Sequence, residues 1–295
     1  QAVIIVKKLF ALIVFAWAGF LTSAIQAKEP VDYIDPFIGT GNQGKDFPGA
    51  CTPFSMVKVS PDTVVTGPTS YYYSDRAIQG FSFTHLGGAD GGELGNFLVM
   101  ATTGPLHTYG GPRNGRPGSG WLSTFSKSTE KASAGYYAVT LDDYKIRAEA
   151  TVAPHSGMLR FTFPENPQSR IQIDFSHRIN GTSLHQTVKV VNDHSIEGMI
   201  DCPKNGGGWS FGGNIYYTLY YHAEFGQPFT KYGVWSATLP PDWTATKPSV
   251  PYGRQRNINS PGFIQACENA EIIPGCREKA GPHLGFYSEF PTKAG

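Results

Sequence analysis

Residues 135–163 read GYYAVTLDDYKIRAEATVAPHSGMLRFTF, and this stretch decides the fold class. Apolar and polar side chains alternate along it, and turn-forming residues interrupt the alternation. A period of two predicts β-strands, because successive side chains of a strand point to opposite faces of the sheet. The stretch therefore predicts consecutive antiparallel strands joined by short turns.

Strand-like runs of the same kind cover most of the chain. They lie at 55–61, 80–86, 96–104, 170–177, 186–201 and 215–225. No convincing amphipathic helix follows residue 27, and the 13% aromatic residues, 35 Gly and 22 Pro favour strands and turns. The sequence predicts an all-β fold, a large antiparallel β-sandwich, rather than a doubly wound sheet. Two long loops, 104–121 and 239–262, are poor in strand formers and are candidate binding loops.

The first 27 residues have the pattern of a secretory signal peptide. Lys7 and Lys8 precede an apolar run over residues 9–21, and small residues lead to a predicted cleavage after Ala27. The pattern predicts a secreted, periplasmic or cell-surface protein with no stable membrane span after cleavage. An uncleaved anchor is the alternative, whereas a lipoprotein signal lacks its cysteine. The chain begins with Gln1 rather than Met, which suggests a fragmentary reading frame.

Charge and cysteine content narrow the class of protein further. Without Lys7 and Lys8 the chain has 22 basic and 23 acidic residues, and no basic run predicts nucleic acid as a partner. The four cysteines are Cys51, Cys202, Cys267 and Cys276. In an exported chain they could form up to two disulfides, including a local Cys267–Cys276 staple, or remain free buried thiols. The absence of a C-x-x-C motif disfavours a zinc ribbon or a thioredoxin-type site.

Two short motifs match functional patterns without the structural context those patterns need. Gly39, Gly41 and Gly44 fit the G-x-G-x-x-G of dinucleotide-binding loops, but Pro48 and Pro53 prevent a regular helix from following. Residues 208–212 fit the G-x-S-x-G of serine hydrolases, but a strand-like run follows where a nucleophile elbow needs a helix. Neither motif predicts its usual function here.

Residues 80–103, GFSFTHLGGADGGELGNFLVMATT, form a glycine-dense loop between two apolar strands. The loop displays His85, Asp90 and Glu93, and its glycines allow a ligand to approach the main chain closely. One interpretation is a ligand-binding loop. The other is that His85 caps a strand end while the carboxylates face solvent. No D-x-[DN]-x-[DN]-G pattern indicates a calcium loop.

Residues 33–63 and 71–100 resemble the N-terminal domain of the glycoside hydrolase family 92 α-mannosidases. The resemblance rests on the ordered motifs DPFIGTG, FPGA-x-x-PF, SPDT and GFSFTHL, and it continues through residues 133–151 to the end of the chain. It implies a β-sandwich of the galactose-mutarotase-like supersandwich type, packed on a C-terminal (α/α)₆ barrel. It also implies an exo-acting, calcium-dependent, inverting α-mannosidase, α-1,2 in linkage, acting on mannose ends of N-glycans or mannan.

In this family the catalytic carboxylates and most calcium ligands belong to the barrel, and residues 28–295 contain no barrel-like sequence. We therefore expect residues 28–295 to be the N-terminal domain of a longer enzyme and to be inactive alone. The resemblance implies that this domain supplies one wall of the sugar pocket. The candidate substrate-binding residues are Asp46, Phe47, Tyr72, Tyr73, His85, Gly87, Gly88, Asp90 and Glu93.

Two departures from the family pattern put the preferred linkage in question. Members commonly carry Ser after the His-Leu pair and a Gly-Cys pair beyond it, where this chain has Gly87 and Gly91-Gly92. No tryptophan directly precedes Tyr71 either. We expect His85→Ala to lower turnover without unfolding, since a residue of a glycine loop should pack little. The competing hypotheses are a stand-alone, non-catalytic carbohydrate-binding module and a structural β-sandwich of an adhesive protein.

Overall fold

The structure, a computed structural model, describes residues 28–41, 44–63, 70–88, 94–111, 120–179, 181–202, 216–240 and 260–292. The predicted signal peptide, Asp90 and Glu93 lie outside these residues. The chain divides into two compact units, one ending at Ile34 and one beginning at Asp35. The described part of the first unit is a 3₁₀ helix at Pro30–Tyr33, where the Glu29 N–H donates to the Asp32 carboxylate.

The second unit is built almost entirely from strands. They are β1 Ser60–Thr63, β2 Ala77–Ser82, β3 Leu98–Thr103, β4 Ser123–Thr124, β5 Lys131–Ser133, β6 Tyr136–Leu141, β7 Ile146–Ala153, β8 Ser156–Thr162, β9 Asn166–Asp174, β10 His177–Arg178, β11 Gly181–Thr182, β12 His185–Val190, β13 Ser195–Cys202, β14 Tyr217–Glu224, β15 Lys231–Ser236, β16 Glu271–Pro274, β17 Glu278–Gly281 and β18 Leu284–Thr292. A 3₁₀ turn lies at Lys127–Thr129, and helix α1 spans Pro261–Glu268.

These strands form one large sheet and two smaller ones, with every described pairing antiparallel. The large sheet has the order β1-β2-β3-β9-β18-β15-β16, with β4 paired to β2. The second sheet has the order β14-β13-β12-β17, and the third has the order β5-β6-β7-β8. Strands β10 and β11 form a separate two-stranded hairpin. The predicted all-β, antiparallel fold is confirmed.

The two smaller sheets cover opposite faces of the large one. Within β3, Leu98 and Met100 belong to the apolar core that contains side chains of β6 and β7, whereas Val99 belongs to the core that contains side chains of β12 and β13. Because side chains alternate between faces along a strand, these assignments place a four-stranded sheet on each side. The sandwich is therefore three layers deep, and strands such as β2 are buried on both faces.

Helix α1 is an element that the sequence did not predict. Ser260 caps it by accepting a hydrogen bond from the Phe263 N–H, and Pro261 occupies its first turn, a favourable start for a helix. The helix has only eight residues, and Phe263 and Cys267 are its buried side chains. Two buried side chains form too narrow an apolar stripe for the periodicity of the sequence to predict this helix. The finding of no convincing amphipathic helix after residue 27 therefore missed this short helix.

Two predicted strands are shorter in the structure than in the sequence pattern. The run at 55–61 pairs only from Val59, which bridges to Ala50, and then continues as β1. The run at 80–86 leaves the sheet after Ser82, because the chain then turns to bury His85. The stretch at 135–163 forms β6, β7 and β8 as predicted.

All four cysteines are free thiols, so the predicted alternative of a Cys267–Cys276 disulfide is not formed. Cys202 and Cys267 are buried, while Cys51 is exposed. Residues 208–212 lie outside the described residues. The next element that the structure describes is strand β14, whereas a nucleophile elbow would be followed by a helix. In the part of the chain that the structure describes, no helix has the length and apolar character needed to cross a membrane.

Candidate functional site

The candidate site begins with residues 36–49, called the glycine loop below. The Asp46 N–H donates to the Gly39 carbonyl over 3.2 Å, which folds the loop back on itself. Gly39 has a φ of +80°, a backbone conformation that favours glycine. Residues 44–48 are irregular, so the described residues that directly follow Gly44 do not begin the helix that a dinucleotide-binding loop requires.

The Asp46 carboxylate lies in a gap between two glycines. A Cβ added to Gly39 would lie 2.6 Å from Asp46 Oδ2, and one added to Gly87 would lie 3.0 Å from Oδ1. Asp46 is exposed to solvent. The Gly88 N–H donates a hydrogen bond to the carbonyl of the neighbouring Lys45 over 2.7 Å. The two glycine-rich segments thus meet around one exposed carboxylate, which can accept hydrogen bonds from a ligand's hydroxyl groups.

Phe47 covers His85. Their ring centroids lie 4.9 Å apart, and Phe47 is half-buried while His85 is only 2% exposed. His85 Nδ1 donates to the Lys58 carbonyl over 3.0 Å, and Nε2 donates to Asp62 Oδ1 over 2.9 Å. The imidazole is therefore fully engaged with the protein, and the expectation that it packs little is wrong.

Asp62 is the centre of a buried polar network. Its Oδ1 accepts hydrogen bonds from His85 and from the Ser82 hydroxyl, and its Oδ2 accepts one from His177 Nε2 over 2.7 Å. Burial alone would raise the pKa of Asp62, but the hydrogen bonds and charges of His177 and His85 outweigh it and hold the pKa well below its ordinary value. The network locks β1, β2 and the β10–β11 hairpin together.

Tyr73 lies beside the glycine loop on its other side. Its N–H donates to the Thr40 carbonyl over 3.0 Å, its ring meets that of Phe37 edge-on at 5.9 Å, and it is 47% exposed. Tyr72 is half-buried, and its N–H donates to Thr63 Oγ1. Of the two tyrosines, Tyr73 is the better placed to offer a ring to a ligand.

Beneath Tyr73, Lys127 is enclosed by aromatic rings. Its Nζ lies 4.6 Å from the Tyr73 ring centroid, 4.8 Å from that of Tyr71 and 4.7 Å from that of Phe125. It also donates to Glu130 Oε2 over 2.9 Å. Burial lowers the pKa of Lys127, and its contact with Glu130 opposes that change.

A cavity of about 40 Å³ adjoins the Asp62 network at His177, and Asp174 and His283 also line it. His283 is buried, its Nδ1 has no hydrogen-bond partner among the described residues, and burial lowers its pKa. A cavity of this size can hold ordered water beside such a group.

The structure brings together five of the predicted residues, Asp46, Phe47, Tyr73, Gly87 and Gly88, around the glycine loop. His85 lies beneath them, and Tyr72 is beside them but half-buried. Asp90 and Glu93 are outside the described residues. The sequence did not single out Asp62, His177 or Lys127. The one signal in the sequence that could have pointed to Asp62 is its position within the SPDT motif.

The described residues do not fit a calcium site on their own. Calcium needs six to eight oxygen ligands, usually including several carboxylates. Among the described residues, no group of three or more His, Cys, Asp or Glu side chains is arranged to hold a metal ion.

Comparison with known proteins places these observations in a family context. The family model of the glycosyl hydrolase family 92 N-terminal domain matches residues 33–295. The chain resembles the family 92 α-mannosidase BT3965 of Bacteroides thetaiotaomicron in two solved structures, one of them in complex with mannoimidazole, at 29% identity and a TM-score of 0.70. The match to the first of these structures covers 91% of this chain and 32% of the α-mannosidase chain.

A curated relative, an uncharacterized secreted glycosidase of Arthroderma benhamiae, is 31% identical over 164 residues. This match covers 50% of the present chain and 20% of the relative. The chain thus spans about a third of the length of its structural relatives and a fifth of the length of this curated one.

Proposed function

Since this chain belongs to glycosyl hydrolase family 92 and carries the family's N-terminal domain, we propose that it supplies one wall of the mannose-binding site of a longer exo-α-mannosidase. The observation that carries the proposal is that Asp46 and Phe47 lie in the glycine loop while Tyr73, Gly87 and Gly88 contact it or lie beside it, with Asp46 and Tyr73 exposed. Sugars offer hydroxyl groups to carboxylates and apolar C–H faces to aromatic rings, and this surface presents both.

Asp46 is the proposed hydroxyl ligand of this wall. Asp46 is exposed, and the absence of side chains at Gly39 and Gly87 makes the space that its carboxylate occupies. In the proposal Phe47 and Tyr73 provide the apolar contacts, while the small Gly87 and Gly88 let the sugar approach the main chain. Gly88 has open space where a Cβ would be.

His85 has an indirect role in this proposal. Its two ring nitrogens are occupied by Lys58 and Asp62, and Phe47 covers its ring. We therefore assign it the support of Phe47 rather than a contact with the sugar in the arrangement described. Direct sugar contacts by Tyr72, Asp90 and Glu93 remain predictions from the sequence.

The chemistry of the reaction falls to other parts of the protein in this proposal. Inversion needs a general acid for the leaving oxygen and a general base for the attacking water on the opposite face of the sugar. We propose that both carboxylates, and a calcium site, belong to a C-terminal (α/α)₆ domain. What residues 28–295 contribute is orientation of the terminal mannose and exclusion of water from one side. Export, α-1,2 linkage and action on N-glycans or mannan are parts of the same proposal.

The test compares residues 28–295 with the product of the complete reading frame, using α-1,2-mannobiose as substrate and measuring released mannose. The longer protein should hydrolyse the disaccharide with inversion, and residues 28–295 should not. A reading frame that ends at Gly295 would contradict the proposal. Saturable, strong mannoside binding by residues 28–295, measured by calorimetry, would instead favour a stand-alone binding module.

A further inference from the structure

We propose that Lys127 is a positioning residue that fixes the ring of Tyr73 for sugar binding. The inference rests on the proposed function, since it assumes that Tyr73 contacts the sugar. Lys127 lies 54 positions from Tyr73 in the sequence and belongs to a 3₁₀ turn rather than to the glycine loop. Its contribution acts through the tyrosine ring and does not require contact with the ligand.

The ammonium group of Lys127 is itself held in place. It donates to Glu130 Oε2 over 2.9 Å and to the Tyr71 hydroxyl oxygen over 2.8 Å. Glu130 is fixed in turn, because its Oε1 accepts hydrogen bonds from the hydroxyl groups of Tyr71 and Tyr137. The Lys127 side chain is only 16% exposed. A lysine so restrained provides a fixed point charge rather than a mobile one.

The fixed charge lies against three aromatic rings, of which Tyr73 is the exposed one. Tyr71 and Phe125 are buried and belong to the interior. A cation over a ring face is attracted by the ring's electron density, and the attraction is stronger where water is excluded. For Tyr73 this attraction selects one orientation of a ring that is otherwise half in solvent.

Two further contacts tie the oriented ring to the glycine loop. The Tyr73 N–H binds the Thr40 carbonyl, and the Phe37 ring meets the Tyr73 ring edge-on. The ring is thus held between Lys127 and the loop that carries Asp46. A platform ordered before the sugar arrives loses less side-chain entropy on binding, which lowers the cost of association.

Lys127 could instead serve only to neutralise the buried Glu130. That role predicts a loss of stability and no change in sugar recognition. The positioning role predicts a change in recognition that disappears when Tyr73 is removed, because two residues acting through one ring are not additive. The two roles are therefore separable by kinetics.

The experiment measures KM and kcat for α-1,2-mannobiose, together with thermal unfolding, in the product of the complete reading frame. The variants are Lys127→Met, Lys127→Arg, Tyr73→Ala, Asp46→Ala and the Lys127→Met/Tyr73→Ala pair. Lys127→Met should raise KM three- to tenfold with little change in kcat, and Lys127→Arg should restore most of the loss. The double variant should be no worse than Tyr73→Ala.

Each contrary outcome has one meaning. An unchanged KM in Lys127→Met beside a raised KM in Tyr73→Ala overturns the positioning role and leaves the proposed function standing. An additive double variant overturns it as well. If Tyr73→Ala has no effect while Asp46→Ala raises KM, the inference about Lys127 fails, and the proposed contact between Asp46 and the sugar still stands. If neither variant changes KM, the proposed function itself fails. If Lys127→Met does not fold, Lys127→Arg and the Lys127→Arg/Tyr73→Ala pair decide. The small rise in KM that Lys127→Arg leaves should disappear when Tyr73 is absent, and a rise that persists overturns the positioning role.

Discussion

The ring of Phe47 packs on the imidazole of His85, with 4.9 Å between their centroids. This contact joins the exposed glycine loop to the buried network around Asp62. The contact gives the loop that carries Asp46 and Phe47 a fixed base, which the proposed sugar-binding role would need. The geometry of the candidate site therefore depends on polar groups that no ligand needs to touch.

Replacing His85 by alanine should destabilise the protein strongly. The change removes one of the three hydrogen bonds that the buried Asp62 carboxylate accepts, and a buried polar group that loses a partner costs roughly 1–3 kcal/mol. Thermal and urea unfolding measure the effect. Leu86→Ala is the matched control, because Leu86 is adjacent and exposed. A His85→Ala variant as stable as the control would show that the network contributes little.

The stability contributed by Asp62 should decline in acid. Its pKa is depressed in the folded state, so this contribution is fully present above the unfolded pKa of about 4 and is lost as the pH falls toward the folded pKa. The difference in melting temperature between the wild type and Asp62→Asn should therefore be larger at pH 7 than near pH 3. A difference independent of pH would contradict the depressed pKa.

Gly39→Ala should disturb the site more than it disturbs the fold. Gly39 and Gly104 both have a φ of +80°, so alanine costs roughly 1–2 kcal/mol of backbone strain at either position. Only at Gly39 does the new Cβ meet the Asp46 carboxylate, whereas Gly104 has open space. Similar melting temperatures with a raised KM for mannobiose in Gly39→Ala alone are expected. Equal KM values would argue that the position of Asp46 is unimportant.

The four thiols should react in the order of their exposure. Cys51 is exposed and Cys276 is partly so, while burial raises the pKa of both Cys202 and Cys267 and disfavours their reactive thiolate form. Titration with Ellman's reagent should label Cys51 first, and Cys202 and Cys267 only after unfolding. A native protein with two unreactive cysteines that stay unreactive in denaturant would indicate a disulfide.

Alternation along the sequence was enough to predict the all-β class, because strands such as β7 bury one face and expose residues on the other. It could not reveal the third layer. Strand β2 is buried along its whole length, so its sequence does not show which sheets cover it. The sequence pattern did not predict helix α1 for a related reason. A helix with only two buried side chains shows almost no helical periodicity of apolar residues.

The family resemblance pointed to site candidates such as Asp46 and Gly87, which lie in glycine-rich segments of the sequence. The site was not predictable where distant segments meet. His85 faces Asp62 from 23 positions away and His177 approaches from 115 positions away, so only the fold reveals that the histidine is buried. Alternation also suggested that the β2 strand continues through His85, whereas the strand ends at Ser82.

The most direct test of the proposed sugar-binding wall is the KM for α-1,2-mannobiose of Asp46→Ala, measured in the product of the complete reading frame. Asp46 is exposed, so its removal should leave the melting temperature nearly unchanged. KM should rise about tenfold, equivalent to about 1.4 kcal/mol of lost binding. Glu165→Ala, which removes another exposed carboxylate, should have no effect. A KM for Asp46→Ala equal to that of the wild type would contradict the assignment of the glycine loop to the sugar site.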